Sequence, residues 1–138
     1  MTLVLDSSMA LSWCFVDELT PHSIDMLGRV KKAGAVVPSI WHLEVANAFQ
    51  IALRRGRSSV AMRDAELAKL ALLPLSIDNE TPARAWTTTL ALGDRYRLTA
   101  YDAAYLELAD RRGFPLASLD AELVQAAARQ GVATIGTA

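Results

Sequence analysis

Residues 1–8 read MTLVLDSS and place a carboxylate directly after a short apolar run. Leu3, Val4 and Leu5 are typical of a buried strand, and Asp6 ends that strand. Similar short runs follow: AVV at 35–37, LSI at 75–77, PLAS at 115–118 and VATI at 132–135. None alternates strictly with polar residues, as is typical of strands covered on both faces. Because helical patterns fill the intervals, the order predicts an α/β fold with a mainly parallel sheet of about five strands flanked by helices.

Start and stop signals delimit several of the predicted helices. Ser39 is expected to cap a helix that runs to Arg55, and Ser58 or Ser59 to begin another that ends before Pro74. Three more helices are predicted to begin after Thr81, Thr99 and Asp120.

The composition indicates one domain over residues 1–138, with 52% apolar and 21% charged residues. Its 14 Lys and Arg against 15 Asp and Glu give a net charge of −1, so any basic surface for nucleic acid must be local. The single cysteine, Cys14, excludes an internal disulfide and fits a reducing cytoplasm. Asp6 falls where a signal peptide needs apolar residues, and polar residues interrupt the longest apolar stretch. We therefore expect a cytoplasmic protein without a membrane segment.

Four acidic side chains are predicted to meet at one edge of the sheet. Asp6 follows the first strand and Asp120 follows the PLAS run, and open parallel sheets bind ligands at the carboxyl ends of their strands. At about 100° per residue, Asp102 falls in the apolar arc of its helix. Glu44 is likewise flanked by apolar residues on its helix.

Each acid also has a purely structural interpretation. Asp6 and Asp120 can cap the helices that follow them, and the spacing Thr99-x-x-Asp102 fits a capping box. Glu44 can form a buried ion pair, and Arg55 is the nearest basic residue on its face. Glu107, Asp110 and Arg111 are predicted to lie on the opposite, polar arc of the Asp102 helix.

Carboxylates gathered in a cleft need a counter-charge, and Mg²⁺ or Mn²⁺ supplies one through oxygen ligands. Other chemistries lack their motifs, because the chain has no GxGxxG, no GxxxxGK[ST] and no GxSxG. His22 and His42 lack metal-binding spacing, while Trp41, Trp86 and Cys14 are predicted to be core residues.

Four segments carry these acids: LVLDSS at 3–8, PSIWHLEVANA at 38–48, LTAYDAAYLELA at 98–109 and PLASLD at 115–120. In order along the chain they resemble the four acidic motifs of PIN-domain ribonucleases, specifically the VapC toxins of bacterial toxin–antitoxin pairs. The resemblance implies a three-layer PIN-like fold and a metal-dependent RNA endonuclease. One or two Mg²⁺ or Mn²⁺ ions would be held by Asp6, Glu44, Asp102 and Asp120. Cleavage would leave a 3′-hydroxyl and a 5′-phosphate.

Further expectations concern the surroundings of the acids. Ser7, Asn47 and Ser118 are expected to orient carboxylates or waters. Candidate RNA-binding residues are Arg54, Arg55, Arg57, Arg95 and Arg97, although an even scatter of solvated charges explains them equally well. The resemblance also implies an RNA substrate, a VapB-like antitoxin partner and a homodimer.

Other doubly wound proteins with acidic sites are alternatives to a nuclease. A receiver domain needs paired acids after its first strand and a late lysine, but here Ser7 and Ser8 follow Asp6, and Lys69 is the last lysine. A phosphatase of the haloacid-dehalogenase type needs D-x-D, where this chain has D-S-S. A PIN-like scaffold that binds RNA or protein without cutting it remains open.

Overall fold

The structure, a computed structural model, describes residues 2–135 of the 138-residue chain. A five-stranded sheet in the order β3-β2-β1-β4-β5 forms its centre, and every neighbouring pair is parallel. The predicted α/β class is therefore confirmed, and the arrangement is consistent with a three-layer PIN-like fold. The strands are β1 (Val4–Leu5), β2 (Ala35–Pro38), β3 (Leu75–Asp78), β4 (Leu116–Ala117) and β5 (Thr134–Ile135).

Helices connect the strands and cover the sheet. They are α1 (Ser7–Ser12), α2 (Pro21–Ala33), α3 (Trp41–Arg54), α4 (Val60–Leu70), α5 (Thr81–Arg84), α6 (Leu90–Tyr96), α7 (Ala100–Arg112) and α8 (Ala121–Gln130). A π-helical turn, Ala85–Thr89, joins α5 to α6, and a 3₁₀ turn, Val16–Glu18, precedes α2. Within residues 2–135, no helix is long and apolar enough to cross a membrane.

The helix starts follow the predicted caps in most cases. The side chains of Ser59, Thr99 and Asp120 each accept a hydrogen bond from the backbone N–H three residues later. The prediction for Ser39 is wrong, because α3 begins two residues later, and the Ser39 N–H donates instead to the Thr81 hydroxyl at 3.1 Å. Thr81 is therefore engaged with the neighbouring segment and is the first residue of α5 rather than its cap.

The central strand directs Asp6 to its position. Val4 and Leu5 are fully buried and pair with both β2 and β4. The Asp6 N–H then donates to the carbonyl of Ala117 at 3.0 Å, so the chain leaves the sheet beside the end of β4. Cys14 lies in the core as predicted, and burial raises the pKa of its thiol to about 12. The central strand β1 is therefore followed directly by Asp6, and β2 and β4 lie on either side of this strand.

Trp86 does not belong to the core, contrary to the prediction. Its side chain is 89% exposed, whereas Trp41 is buried as predicted. The helical spacing that predicted burial fails here because Trp86 lies in the π-helical turn, whose wider winding changes the phase of the side chains.

The polar arc predicted for α7 is also wrong at Glu107, which is only 5% exposed. Arg111, one turn later, binds Glu107 with Nε to Oε2 at 2.9 Å and Asp78 with Nη2 to Oδ2 at 2.6 Å. It also reaches Glu80 at 2.9 Å. Three carboxylates thus share one largely buried guanidinium, which provides them with a basic partner where α7 packs near the end of β3.

Replacing Arg111 by Met should lower the free energy of unfolding by about 3–5 kcal/mol, because Asp78 and Glu107 would stay buried without a cation. Arg112→Met is the matched control. Its guanidinium lies 3.8 Å from Asp78 and is more exposed, so its loss should cost less than about 1 kcal/mol. Urea unfolding of the three proteins measures both effects, and equal losses for the two variants would contradict a structural role for this cluster.

Candidate functional site

Asp6 is a buried carboxylate held by two hydroxyl groups. Its side chain is 3% exposed, and its Oδ2 accepts hydrogen bonds from Ser8 at 2.6 Å and from Ser118 at 2.7 Å. Burial raises the pKa of Asp6, these two hydrogen bonds oppose the shift, and the charge of Asp120 adds to it. Oδ1 accepts no hydrogen bond from a side chain in the described part of the molecule. One carboxylate oxygen of Asp6 is therefore fixed by two hydroxyl groups.

The loop after β4 is tied to the start of α1 through the same serines. Ser8 Oγ accepts a hydrogen bond from the Leu119 N–H, and Ser118 Oγ accepts one from the Asp120 N–H, both at 3.0 Å. Asp120 Oδ1 in turn caps α8 by accepting from the Leu123 N–H. The structural role considered for Asp120 is thus real, and it fixes this acid beside Asp6. Asp6 is the residue before α1, but it makes no cap bond with its side chain.

Glu44 projects from the first turn of α3 and is half-buried. Its partner is Tyr105 of α7, whose hydroxyl donates to Glu44 Oε1 from a fully buried ring. Burial raises the pKa of Glu44, the Tyr105 hydrogen bond lowers it, and the charge of Asp6 raises it further. The alternative of an ion pair with Arg55 is therefore wrong: within residues 2–135, Glu44 forms no ion pair.

Asp102 lies in the first turn of α7, half-buried, where the field of the helix favours a negative charge. Its pKa is nevertheless raised to about 6, first by burial and then by the charges of Asp120, Asp6 and Glu44. The four predicted acids therefore act on one another electrostatically. Their convergence at the carboxyl edge of the sheet agrees with the prediction, while their chemical roles stay predictions.

The donor set suits a hard cation. In the described part of the chain, no lysine, arginine or histidine forms an ion pair with any of the four acids. Carboxylate oxygens without a basic partner are the ligands that Mg²⁺ and Mn²⁺ prefer. The residues present thus fit the expected ion in charge and in chemistry.

The side chains of residues 2–135 include no group of three or more His, Cys, Asp or Glu arranged to hold a metal ion together. Mg²⁺ does not require such a group, because it keeps several waters and binds proteins through one or two carboxylates. Which of the four acids would bind the ion stays a prediction.

The expected supporting residues have different surroundings. Ser118 contacts Asp6 directly, and the Ser7 hydroxyl acts on the pKa of both Glu44 and Tyr105. Asn47 lies one turn after Glu44, is exposed, and makes no hydrogen bond with the acids in the described residues. Its role stays a prediction. Ser8 and Tyr105, which the sequence analysis did not single out, make the shortest contacts to Asp6 and Glu44.

The candidate RNA-binding arginines fall into two groups. Arg54 and Arg55 line a cavity at the far end of α3, and nearby Arg57 is engaged with Asp17 at 3.2 Å. Arg95 and Arg97 lie at the end of α6, just before α7. Only this second group is close along the chain to one of the four acids.

Comparison with known proteins identifies the fold and no more. The chain matches no family model and no curated protein. In structure it is similar to PAE2754 from Pyrobaculum aerophilum, known from a crystal structure, with a TM-score of 0.69 over 97% of this chain and 92% of that one. The two sequences are 21% identical. Because one fold supports many functions, function must be argued from the site.

Replacing Asp102 by Asn tests the crowding of the acids. Its folded-state pKa of about 6 exceeds the ordinary 3.8, so the stability that it contributes is fully present below that lower value and is lost as the pH rises through about 6. In EDTA, the free energy of unfolding of the wild type should therefore fall relative to Asp102→Asn across this window. At neutral pH the variant should be at least as stable as the wild type. A wild type that is more stable than the variant at neutral pH would show that the Asp102 charge only stabilises the first turn of α7.

Tyr105→Phe should destabilise the protein by about 1–2 kcal/mol, because the half-buried Glu44 carboxylate would lose its hydrogen-bond donor. The control is Tyr101→Phe, since Tyr101 is 61% exposed in the same helix; that change should stay within about 0.5 kcal/mol. Chemical denaturation at neutral pH compares the two. Equal stabilities would mean that the Tyr105 hydroxyl does not hold Glu44.

Proposed function

We propose that this protein is a metal-dependent endoribonuclease of the PIN-domain type and the toxin of a toxin–antitoxin pair. One observation carries the proposal: the four acids are close enough beside the end of the central parallel strand for their charges to interact, and none of them forms an ion pair within residues 2–135. The four sequence segments that resemble the acidic motifs of VapC toxins contain these same residues. The metal, the RNA substrate, the antitoxin, the homodimer and the cytoplasmic location belong to the same proposal.

The side chains at the site have different roles. Asp6 and Asp102 hold Mg²⁺ or Mn²⁺, directly or through water, and Glu44 and Asp120 complete the acidic pocket. Ser8 and Ser118 keep Asp6 in one orientation through its Oδ2, and Tyr105 does the same for Glu44. When bound, the cation supplies two effects: it lowers the pKa of a coordinated water and stabilises negative charge on the phosphate.

Purified protein should cleave RNA with Mg²⁺ or Mn²⁺ and stop when EDTA is added. Asp6→Asn should lower the cleavage rate at least about a hundredfold, because it removes the charge that holds the ion. Asp110→Asn is the matched control, since Asp110 is exposed and accepts a hydrogen bond from Gln130 rather than from any residue of the acidic site. Glu107 cannot serve as the control, because it is buried in the Arg111 cluster. Cleavage that continues unchanged in EDTA would refute the metal mechanism.

Expression in a bacterial host separates a toxin from other nucleases. We expect the wild type to arrest growth, Asp6→Asn to be harmless, and a small protein encoded beside the toxin gene to relieve the arrest. Growth curves at matched expression levels measure this. A wild type that is as harmless as Asp6→Asn would remove the support for a toxin, while the cleavage assay would still decide whether the protein is a nuclease.

A further inference from the structure

Arg97 adopts a positive-φ backbone conformation that, among the other residues between 2 and 135, occurs at glycine alone. It ends α6 with φ 55° and ψ 45°, in the left-handed region. The other positive-φ residues between 2 and 135 are Gly34, Gly56, Gly113 and Gly131. The left-handed conformation is costly for a residue with a Cβ atom, and such strain is found preferentially at functional sites. A functional role of the Arg97 side chain would explain why glycine does not occupy this position.

Arg97 lines a cavity of about 200 Å³ between the end of α6 and one face of α8. We call this cavity the arginine pocket; its lining residues are Tyr96, Arg97, Glu122, Gln125, Ala126 and Arg129. Glu122, Gln125 and Arg129 are spaced three and four residues apart, so they lie on the same side of α8. The pocket therefore combines two arginines from different parts of the chain.

Both arginines are free of carboxylate partners in the described part of the molecule, whereas Arg57, Arg63 and Arg111 are all engaged. The Arg129 guanidinium lies over the Tyr96 ring, 5.5 Å from its centroid. Stacking on a ring orients a guanidinium and leaves its edge N–H groups able to donate. The Arg97 and Arg129 side chains line one polar cavity and together suit a phosphate, which arginine binds through paired hydrogen bonds.

The arginine pocket adjoins the acidic site. Arg97 lies two residues before Thr99, which caps α7, and α8 begins at the cap residue Asp120. Glu122, on the wall of the pocket, is close enough for its charge to contribute to the raised pKa of Asp102. With a rise of about 1.5 Å per residue, Arg129 lies about 13 Å along α8 from Asp120, too far to contact a phosphate held at the acids. The pocket is therefore placed to contact another phosphate of the same strand.

We propose that the arginine pocket binds a phosphate of the RNA strand next to the one that is cut, through Arg97 and Arg129. The proposal rests on the nuclease function proposed above and assigns to that site a second contact with its substrate.

Equilibrium binding of a short, fluorescently labelled single-stranded RNA tests this, in EDTA so that cleavage does not interfere. Arg97→Gln and Arg129→Gln should each weaken binding about tenfold. Each should also reduce the slope of log K against log salt by about 0.7, the value for one phosphate contact on a single strand. Arg29→Gln is the matched control, because Arg29 is exposed on α2 and lines none of the cavities described above. It should change neither quantity by a comparable amount.

Arg97→Gly gives an independent readout. Glycine relieves the left-handed conformation, so this variant should melt at a higher temperature than the wild type while binding RNA as weakly as Arg97→Gln. Opposite changes in stability and binding are expected if the chain retains an arginine here for its contact with RNA. A merely structural role of Arg97 would instead lower the melting temperature.

The outcomes separate the two proposals. If the wild type cuts RNA but Arg97→Gln and Arg129→Gln bind it like Arg29→Gln, the arginine pocket does not contact the substrate and the nuclease proposal stands. If the wild type neither binds nor cuts RNA, both proposals fall.

Discussion

The burial of Asp6 at the end of the central strand is the constraint on which the site depends. A carboxylate that is 3% exposed must be hydrogen-bonded or neutralised. Here two serines from distant parts of the chain, Ser8 and Ser118, donate to the same oxygen. The hydrogen bonds of these serines connect the start of α1 to the loop after β4, and this loop positions Asp120. The acid that ends β1 thus organises the segment that supplies a second acid.

The protein stabilises buried acids in two different ways. At the end of β3, Arg111 forms ion pairs with Asp78 and Glu107, so these acids have a basic partner within the chain. At the end of β1, in the described part of the structure, the partners of the acids are hydroxyl and backbone N–H groups, which leave the negative charge in place. The remaining negative charge affects Asp102, because burial and the neighbouring charges raise its pKa to about 6. The first arrangement contributes stability, whereas the second favours binding of a cation.

The sequence was sufficient for the fold class and for the position of the acids, because both follow from local patterns. Short apolar runs predicted the parallel strands, and an acid after a strand predicts a side chain at the carboxyl edge. The hydrogen-bond partners of the acids could not be predicted from local sequence patterns. Tyr105 meets Glu44 across 61 positions of sequence, and Ser118 meets Asp6 across 112. Glu107 was misplaced for the same reason, because it is buried against Arg111, which also binds Asp78 of a strand distant in sequence.

The central claim is that the acidic site around Asp6 binds a cation, and direct metal binding tests it. Metal-free protein is titrated with Mn²⁺, and the free ion is followed by electron paramagnetic resonance. The account predicts saturable binding by the wild type and by Asp110→Asn, and weak or absent binding by Asp6→Asn. A wild type that binds no Mn²⁺, or three proteins that bind it equally, would contradict the account.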